Sequence, residues 1–522
     1  MSASTERKLR KAAIEAGTDK KTLAAKEEAK KKAKSKRNWT IGTILIVLLL
    51  VFTLLMNSNL LYTATTAIQV GDRSFSPAEL TYNYATQYYN WTSSYGSYAS
   101  MFGLDTSYGL NGLDSQECTM AEDGTWKDYF MEQAESTLQQ IVALAGYADE
   151  NGIELTEADE AEIQADVDEL ETSAKEYGYA NASKFLSANY GKGVTTKTAV
   201  KMDGLNRLAS NAYNALSESF EFTDEELEAR YADNADDYDT FSYIYYAVAA
   251  DKIVTDGEDG ESTEEVTEET MAEAKAKADS VAEAFKAAEG DDYAARLDAA
   301  IAEAGLEGSG NTNTDTSGSY VSSNYSDWIK DSSRKAGDIE VIENTSANGY
   351  NVVVFTDRGD NNYNTVQVRH ILIKAEADEN GEFTDEAKAA AKAKAEDILA
   401  QWKAGEATEE SFAALAEEYS EDAGSNTNGG LYDSIQRGQT VEEFNNFCFN
   451  ENHKAGDTGI VYGDNGSYAG YHIMYFVGEG ENCRKALARA DLESEAIEAW
   501  LEENSELQTV IEKFFFKFAG KV

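Results

Sequence analysis

Two of the chain's three histidines lie on strand-like segments at opposite ends of one stretch of sequence. His370 belongs to Val366–Ile373, and His472 belongs to Gly470–Val477. Two helical patterns, a Gly-rich loop and a short third helix separate these segments. Imidazoles can act as acids, bases or metal ligands near neutral pH, so two of them on one small sheet are candidates for a chemical site. The spacing predicts one compact domain with a histidine near each end.

Most chemistries that use histidine lack their other residues here. The sequence contains no HExxH pattern for a zinc protease, no Gly-x-Ser-x-Gly nucleophile motif and no phosphate-binding glycine loop. Residues 378–382 are acidic with one glycine, but the ligand spacing of a calcium loop is missing, so we interpret them as a turn before a helix that starts near Thr384. We expect neither a metal nor a cofactor.

Several short motifs follow one another in this stretch with a characteristic order and spacing. They are Arg369–Leu372, Phe412–Ala416, Tyr419–Asp422, Gly429–Leu431, Arg437–Gln439 with Phe444, Gly456–Asp457 and Gly470–Ile473. Taken together, they make Val366–Val477 resemble a parvulin-type peptidyl-prolyl cis/trans isomerase domain. The resemblance implies an α+β domain in which helices surround a small antiparallel sheet.

The resemblance also implies a reaction that needs neither a nucleophile nor a metal. Rotation about a prolyl amide faces a barrier of ~18–20 kcal/mol because the C–N bond has partial double-bond character. A catalyst must bind the twisted amide better than either planar form. The catalytic residues implied are His370, Asp422 and His472, with the two histidines bonded to each other. Asp422 would lie near the substrate carbonyl, where an apolar setting would favour its neutral form; alternatively, it only caps its loop.

A slot for the proline ring is the second requirement. The substrate-binding residues that the resemblance implies are Phe444, Leu431, Tyr432, Thr440 and Ser467. Phe444 would form the floor of the slot, although its helix would bury it in any case. Thr440 stands where the family commonly has Met. The loop 463–469 is longer than in the family, and Ser467 is the candidate for the hydroxyl that the family supplies there.

Charge divides the chain into a basic arm and an acidic body. Residues 1–38 hold 13 Lys+Arg and 5 Asp+Glu, a net charge of +8, and the rest holds 32 against 90, a net charge of −58. The acidic body argues against nucleic acid as a partner because it offers no basic face for phosphates. The chain has a single proline, Pro77. A proline isomerase with this sequence would therefore act on other chains.

An apolar run follows the basic arm. Residues 39–62 contain the uncharged stretch Ile41–Met56 with aromatic residues at both ends, which predicts a transmembrane signal anchor. A cleaved signal peptide is the alternative. The positive-inside rule then places residues 1–38 in the cytoplasm and the body outside it. The sequence thus predicts a single-pass protein of the cell membrane.

Residues 63–238 are dominated by amphipathic helix patterns. Thr156-x-x-Asp159 and Thr223-x-x-Glu226 are capping boxes that predict helix starts. With Ala182–Leu186, they make this region similar to the amino-terminal chaperone region of foldases of the SurA and PrsA kind. The alternative is a helical scaffold without a client site. Residues 484–522 also have a helical pattern, up to Phe518, and the resemblance implies that this carboxy-terminal helix packs on the chaperone region.

Residues 239–358 repeat the pattern of the isomerase-like domain at 364–480. The segment Thr240–Val248 aligns with Thr365–Ile373, and Gly349–Phe355 aligns with Gly470–Phe476. Tyr245 and Asn351 then replace the two histidines, which predicts a degenerate unit for binding or spacing. An unrelated α/β domain is the alternative. The polar stretches 254–271 and 308–323 are interpreted as loops.

Three cysteines, Cys118, Cys448 and Cys483, show neither CxxC nor metal-ligand spacing. We expect buried free thiols, with a Cys448–Cys483 bridge as the alternative.

The sequence as a whole predicts a multidomain α+β protein with a transmembrane helix, a helical region, two parvulin-like domains and a carboxy-terminal helix. The predicted function is prolyl isomerisation with chaperone activity on unfolded exported proteins that contain X–Pro bonds. Two alternatives remain open: a non-catalytic holdase that uses parvulin folds to bind peptides, and an acidic structural surface protein.

Overall fold

The computed structural model describes residues 3–120, 124–256, 262–378 and 381–521, without the side chains of 52, 54–57, 255–256 and 262–263. Contacts divide the chain into two units. Unit 1 comprises Met1–Phe220 and Ala496–Val522, and unit 2 comprises Glu221–Glu495. The chain therefore leaves unit 1 for unit 2 and returns.

Helices and strands alternate in unit 2, whereas unit 1 is mainly helical. The helices are α1 (Ala3–Glu15), α2 (Lys20–Asn57), α3 (Leu60–Thr63), α4 (Pro77–Tyr95), α5 (Trp126–Asn151), α6 (Glu157–Glu176), α7 (Ala182–Asn189), α8 (Thr196–Ser219), α9 (Asp224–Asp233), α10 (Ala235–Tyr238), α11 (Glu268–Ala287), α12 (Tyr293–Glu303), α13 (Ser326–Ile329), α14 (Asp385–Ala404), α15 (Glu409–Tyr419), α16 (Glu442–Cys448) and α17 (Cys483–Glu506). The strands are β1 (Ile68–Val70), β2 (Arg73–Phe75), β3 (Thr240–Ala249), β4 (Ile253–Asp256), β5 (Ser262–Glu265), β6 (Asn311–Ser317), β7 (Ile339–Asn344), β8 (Gly349–Gly359), β9 (Asn364–Lys374), β10 (Leu431–Ile435), β11 (Thr458–Asp464), β12 (Ala469–Asn482) and β13 (Val510–Glu512).

Side-chain caps fix where several helices begin. Thr156 starts α6 and Thr223 starts α9, each with a reciprocal capping box. The backbone N–H of each threonine donates to the acidic residue three positions later over 2.8 Å. Such caps satisfy amide groups that have no partner inside the helix and contribute about 1 kcal/mol each. Both predicted helix starts are confirmed.

Aromatic side chains fill the main core of unit 1. Trp126 and Phe130 from α5 pack with Tyr84 from α4 and Phe75 from β2, and all four are buried. Strand β1 lies between β2 and β13 in an antiparallel sheet. The predicted helix up to Phe518 is wrong beyond Glu506, where α17 ends. Pairing with β1 holds the β-branched residues near Val510 in a strand instead.

The prediction of a transmembrane signal anchor over residues 39–62, and with it a single-pass membrane location, is wrong. Along the described part of the chain, no helix combines the length and apolar character needed to cross a membrane. Helix α2 begins at Lys20, inside the lysine-rich arm.

Unit 2 contains two four-stranded antiparallel sheets with the same topology. Their orders are β6-β3-β8-β7 and β10-β9-β12-β11, so the first and last strands of each set pair in the centre. The registers also correspond. Tyr245 lies opposite Val353 in the first sheet, as His370 lies opposite Met474 in the second. Asn351 and His472 likewise occupy equivalent positions, opposite Ala247 and Leu372.

The first sheet carries strands where the sequence indicated loops. Residues 254–271 contribute β4 and β5, which pair as a hairpin, although 257–261 lie outside the described residues. Residues 308–323 contribute β6, which pairs with β3 at the edge of the sheet. Both loop predictions are wrong because backbone pairing overrides the weak strand preference of these polar residues.

The second sheet separates two cores. Ile371 and Ile473 face helices α14 and α15, where they pack with Trp402 and Phe412. The opposite face carries Val366, Val368 and Met474, which pack with Phe444 and Phe447 of α16. Because side chains alternate along a strand, His370 and His472 share this second face.

All three cysteines are free and buried, so the expected thiols are confirmed.

Gly430 allows the chain before β10 to approach β9 closely. Its φ is +72°, and a Cβ atom there would lie 2.2 Å from the backbone oxygen of His370. The Gly430 carbonyl accepts a hydrogen bond from the His370 N–H over 2.8 Å. Only glycine permits both the left-handed backbone and this contact.

We expect Gly430→Ala to destabilise the second sheet more than Gly438→Ala does. Gly438 also has a positive φ, +76°, but its Cβ would meet no atom within 4 Å. The control should cost about 1–2 kcal/mol for the left-handed backbone, and Gly430→Ala about 3 kcal/mol or more because backbone must also move. Hydrogen exchange of β9 and β12 peptides in the full chain measures both. Equal effects would contradict the close-approach argument.

Candidate functional site

The strand register brings His370 and His472 into direct contact. Their Nδ1 atoms are 3.1 Å apart, and the rings stack at 5.3 Å between centroids. The residues are 3% and 4% exposed. A buried polar pair of this kind needs partners for its remaining nitrogens.

The loop between α15 and β10 supplies partners for His370. Its Nε2 atom lies 2.9 Å from Asp422 Oδ2 and 3.1 Å from Ser425 Oγ, and the Ser425 hydroxyl donates to the same Asp422 oxygen over 2.5 Å. The loop is fastened to β9, because Ser420 Oγ accepts from the Leu372 N–H over 3.1 Å. Backbone contacts thus hold Asp422 beside the imidazole pair.

Two tyrosines bind to the ends of the hydrogen-bonded series His472–His370–Asp422, which we call the polar chain. The Tyr468 hydroxyl lies 3.1 Å from His472 Nε2. The Tyr432 hydroxyl donates to Asp422 Oδ2 over 3.1 Å. Gly463 on β11 leaves room for His472, since a Cβ there would lie 2.6 Å from Nε2.

Hydrogen bonding and burial determine the protonation of Asp422 and His472. Hydrogen bonding to His370 lowers the pKa of Asp422 well below its ordinary value despite partial burial, so the carboxylate is ionised. The prediction that Asp422 is neutral is therefore wrong, because donated hydrogen bonds outweigh desolvation. Burial, and then the neighbouring His370, lowers the pKa of His472 to about 3.

The ionised carboxylate assigns the direction of one of these hydrogen bonds, because Asp422 can then only accept and His370 donates from Nε2. In the tautomers that carry a single proton on each ring, His370 Nδ1 accepts from His472 Nδ1–H, and His472 Nε2 accepts from the Tyr468 hydroxyl. In this arrangement each polar hydrogen of the pair finds an acceptor, which stabilises the buried rings.

An apolar wall borders the polar chain. The ring of Phe444 stands edge-on to both imidazoles, at 5.3 Å from His370 and 5.2 Å from His472 between centroids. All three rings line a cavity of about 480 Å³. Thr440 lines it as well, and its Oγ1 is buried without a hydrogen-bond partner among the described residues. The cavity thus combines an aromatic wall with unused hydrogen-bonding capacity.

The structure brings most of the predicted site residues together. His370, Asp422, His472, Tyr432, Thr440 and Phe444 line the cavity, whereas Leu431 and Ser467 do not. Leu431 pairs with Arg369, and the exposed Ser467 only donates its backbone N–H to Asn465. The sequence prediction missed two residues that hydrogen-bond to the predicted catalytic residues, Ser425 and Tyr468. Ser425 lies three positions after Asp422, a spacing typical of a turn, which could have indicated it. Tyr468 is the residue directly after Ser467, which was predicted instead.

The described residues hold no group of three His, Cys, Asp or Glu side chains placed for a metal ion.

Comparison with protein families identifies the domain that contains this cavity. Residues 350–476 match the sequence model of the PPIC-type PPIASE domain, also named Rotamase_3. These residues form a parvulin-type, or PpiC, domain. The match begins within β8, ahead of the predicted boundary at residue 364.

Curated relatives match part of the sequence. Foldase protein PrsA 1 of Listeria monocytogenes serotype 4b (strain F2365) is 32% identical over 136 residues, which are 26% of this chain and 38% of that protein. Chaperone SurA of Alkalilimnicola ehrlichii is 37% identical over 118 residues, 22% of this chain and 24% of that protein. The chain thus covers well under half of each relative's length. The likeness is to the foldases PrsA and SurA.

Comparison with solved structures gives PrsA proteins at low TM-scores. The peptidylprolyl isomerase PrsA of Bacillus cereus has 26% identity and a TM-score of 0.18 over 28% of this chain and 50% of its own. The foldase protein PrsA of Streptococcus pneumoniae has 12% identity and a TM-score of 0.20 over 78% of this chain and all of its own.

His472 should remain neutral well below the pH at which an ordinary histidine titrates. Its pKa of about 3 compares with 6.5 for a free side chain. Between these values the unfolded chain binds a proton that the folded chain does not, so the parvulin domain loses stability as the pH falls from 6.5 towards 3. Ionised Asp422 acts in the same direction below its ordinary pKa of 3.8.

Carbon-13 NMR of the full chain with labelled histidines measures the titration of His472, because only three histidines give signals. His453→Gln removes one signal, and His472→Gln identifies another. The His472 signal should not titrate from pH 8 to about 4. Titration near 6.5 would contradict the buried neutral pair.

Proposed function

We propose that this protein is a peptidyl-prolyl cis/trans isomerase and chaperone that assists the folding of other proteins. The observation that supports this proposal is the polar chain Tyr468–His472–His370–Asp422 beside Phe444, within a domain that matches the PPIC-type isomerases. Because the chain contains only Pro77, its substrates are X–Pro bonds in other, unfolded proteins.

The cavity suits the twisted form of a prolyl amide. In the planar form, resonance places negative charge on the carbonyl oxygen, and twisting removes it. An ionised carboxylate near this oxygen disfavours the planar form more than the twisted one, and an apolar wall acts in the same direction because the twisted amide is less polar. Asp422 is proposed as the carboxylate and Phe444 as the wall. Both effects favour the twisted transition state over the planar amide, which is the requirement for catalysis.

The other polar residues would position Asp422. His370, Ser425 and Tyr432 donate hydrogen bonds to its Oδ2 atom. His472 and Tyr468 hold His370 in the tautomer that donates. No proton has to move during rotation, so we assign these residues to positioning rather than to acid–base catalysis.

Unit 1 offers features suited to unfolded clients. A cavity of about 650 Å³ is lined by Phe75, Leu155, Ile163, Leu205 and Leu208. Elsewhere, Tyr98, Met101 and Tyr108 are exposed. We propose residues 63–238 as the chaperone region and 239–358 as a degenerate parvulin-like unit, whose topology and register match the second sheet. A holdase without catalysis is the second candidate, and these apolar features favour it.

Isomerase activity should depend on the cavity residues and not on the third histidine. Exchange NMR on short X–Pro peptides with the full chain measures kcat/KM. Asp422→Ala should lower it by about 10²-fold, the loss typical for a preorganised electrostatic group. Phe444→Leu should lower it because the aromatic wall is lost, while the control His453→Ala should leave it unchanged. A native chain that is folded by near-UV circular dichroism but isomerises no peptide would favour the holdase.

Tyr468, not Ser467, should support the histidine pair. Tyr468→Phe leaves His472 Nε2 without its donor, so kcat/KM should fall about three- to tenfold, as for the loss of one hydrogen bond. Ser467→Ala, one residue earlier in the same loop, should change it by less than about twofold because Ser467 lies outside the cavity. The opposite order of effects would restore Ser467 as the hydroxyl donor.

A further inference from the structure

The cavity of the parvulin domain is lined by acidic side chains without basic ones. Asp422 and Asp433 both line it, and none of its lining residues is Lys or Arg. The two lining histidines are His370 and His472, and the latter is neutral because its pKa is lowered to about 3. A cavity with two carboxylates and one apolar wall has a negative potential, because low-dielectric walls focus the field.

The two carboxylates differ in their partners. Asp422 receives hydrogen bonds from His370, Ser425 and Tyr432, which offset part of its charge. Asp433 is exposed, and its carboxylate has neither an ion pair nor a hydrogen bond among the described residues. It lies where the pairing of β10 with β9 is irregular, between Tyr432 and Ile435. Its charge is therefore available to a ligand in the cavity.

Nearby cations are engaged elsewhere. Arg437 follows β10, but its guanidinium lies over the rings of Tyr363 and Phe449, 5.0 and 4.6 Å from their centroids. Arg369 points to the opposite side of the sheet, where it pairs with Glu409 over 2.9 Å. Neither lines the cavity. The acidic lining is thus not neutralised from within the domain.

We propose that this site selects X–Pro bonds in which X is lysine or arginine, with Asp433 as the specificity-determining residue. The inference rests on the proposed isomerase function. The residue before proline carries the carbonyl that turns beside Asp422, so its side chain starts next to the same cavity. A long cationic side chain can reach from there to the unpaired carboxylate of Asp433. Glutamate or phosphoserine before proline would meet two carboxylates instead.

Charge elsewhere in the chain acts in the same direction. Residues 364–480 contain 22 Asp+Glu and 8 Lys+Arg, a net charge of −14. This field attracts basic client segments and repels acidic ones before they reach the cavity. The preferred substrate class is therefore basic, proline-containing segments of unfolded proteins.

The test uses the full chain and peptides Ala-Xaa-Pro-Phe with Lys, Arg, Gln, Met, Glu or phosphoserine before proline. Exchange NMR at low salt should give a kcat/KM for Lys that is about tenfold above that for Glu, as expected for one partly screened charge pair. The ratio should shrink at ~1 M salt, where the Debye length is about 3 Å. Asp433→Asn should reduce the ratio, and Asp433→Lys should invert it.

A matched control separates local charge from net charge. Glu406→Gln removes one exposed carboxylate from the turn after α14, outside the cavity, and should leave the Lys/Glu ratio unchanged. Equal rates for Lys and Glu peptides in the native chain, or a ratio unaffected by Asp433→Asn, would overturn the inference while the isomerase function stands. If no peptide is isomerised, the proposed function fails, and titrating the same peptides for binding still decides the charge preference.

Discussion

The contact between the imidazoles of His370 and His472 is the interaction on which the site depends. Two buried rings can lie 3.1 Å apart only if one donates and the other accepts. The same requirement constrains the hydrogen bonds made by the other nitrogen of each ring. His370 donates to the ionised Asp422 from its other nitrogen, and the other nitrogen of His472 shares a hydrogen bond with the Tyr468 hydroxyl. The pair therefore connects the loop before β10 to the loop between β11 and β12 and holds the carboxylate in one position.

Close backbone approaches make this contact possible. Gly430 lets its loop touch the backbone of His370, and Gly463 leaves space for the ring of His472. A side chain at Gly430 would push its loop away from β9, and one at Gly463 would collide with the ring of His472. The sheet also isolates the site from the helical core on its other face, so Trp402 and Phe412 stabilise the strands without entering the cavity. One face of β9 and β12 thus positions the side chains of the site, and the other face packs on the helices that stabilise the two strands.

The two sheets of unit 2 show how one topology can keep or lose a polar site. Tyr245 and Asn351 occupy the register positions of the two histidines, and the ring of Tyr325 packs against Tyr245. The backbone arrangement survives the replacement because strand pairing depends on main-chain hydrogen bonds and apolar alternation. Neither Tyr245 nor Asn351 has an imidazole ring, so these two positions do not form the pair of ring nitrogens that His370 and His472 form. The two sheets therefore differ in side-chain chemistry while they share a strand order.

The sequence by itself determined the strands that carry His370 and His472, the helix with Phe444, the capped helix starts and the register of the repeat, because these depend on local periodicity and spacing. Only the tertiary structure decided which loop residues complete the site. Tyr468 rather than Ser467 reaches His472, Ser425 joins Asp422, and Asp422 is ionised, since these outcomes depend on contacts between distant segments. The strands β6 and β13 were missed for the same reason: their polar or short sequences become strands only through pairing with β3 and β1. Local pattern fixes which elements form, whereas long-range hydrogen bonds and burial fix how their side chains are used.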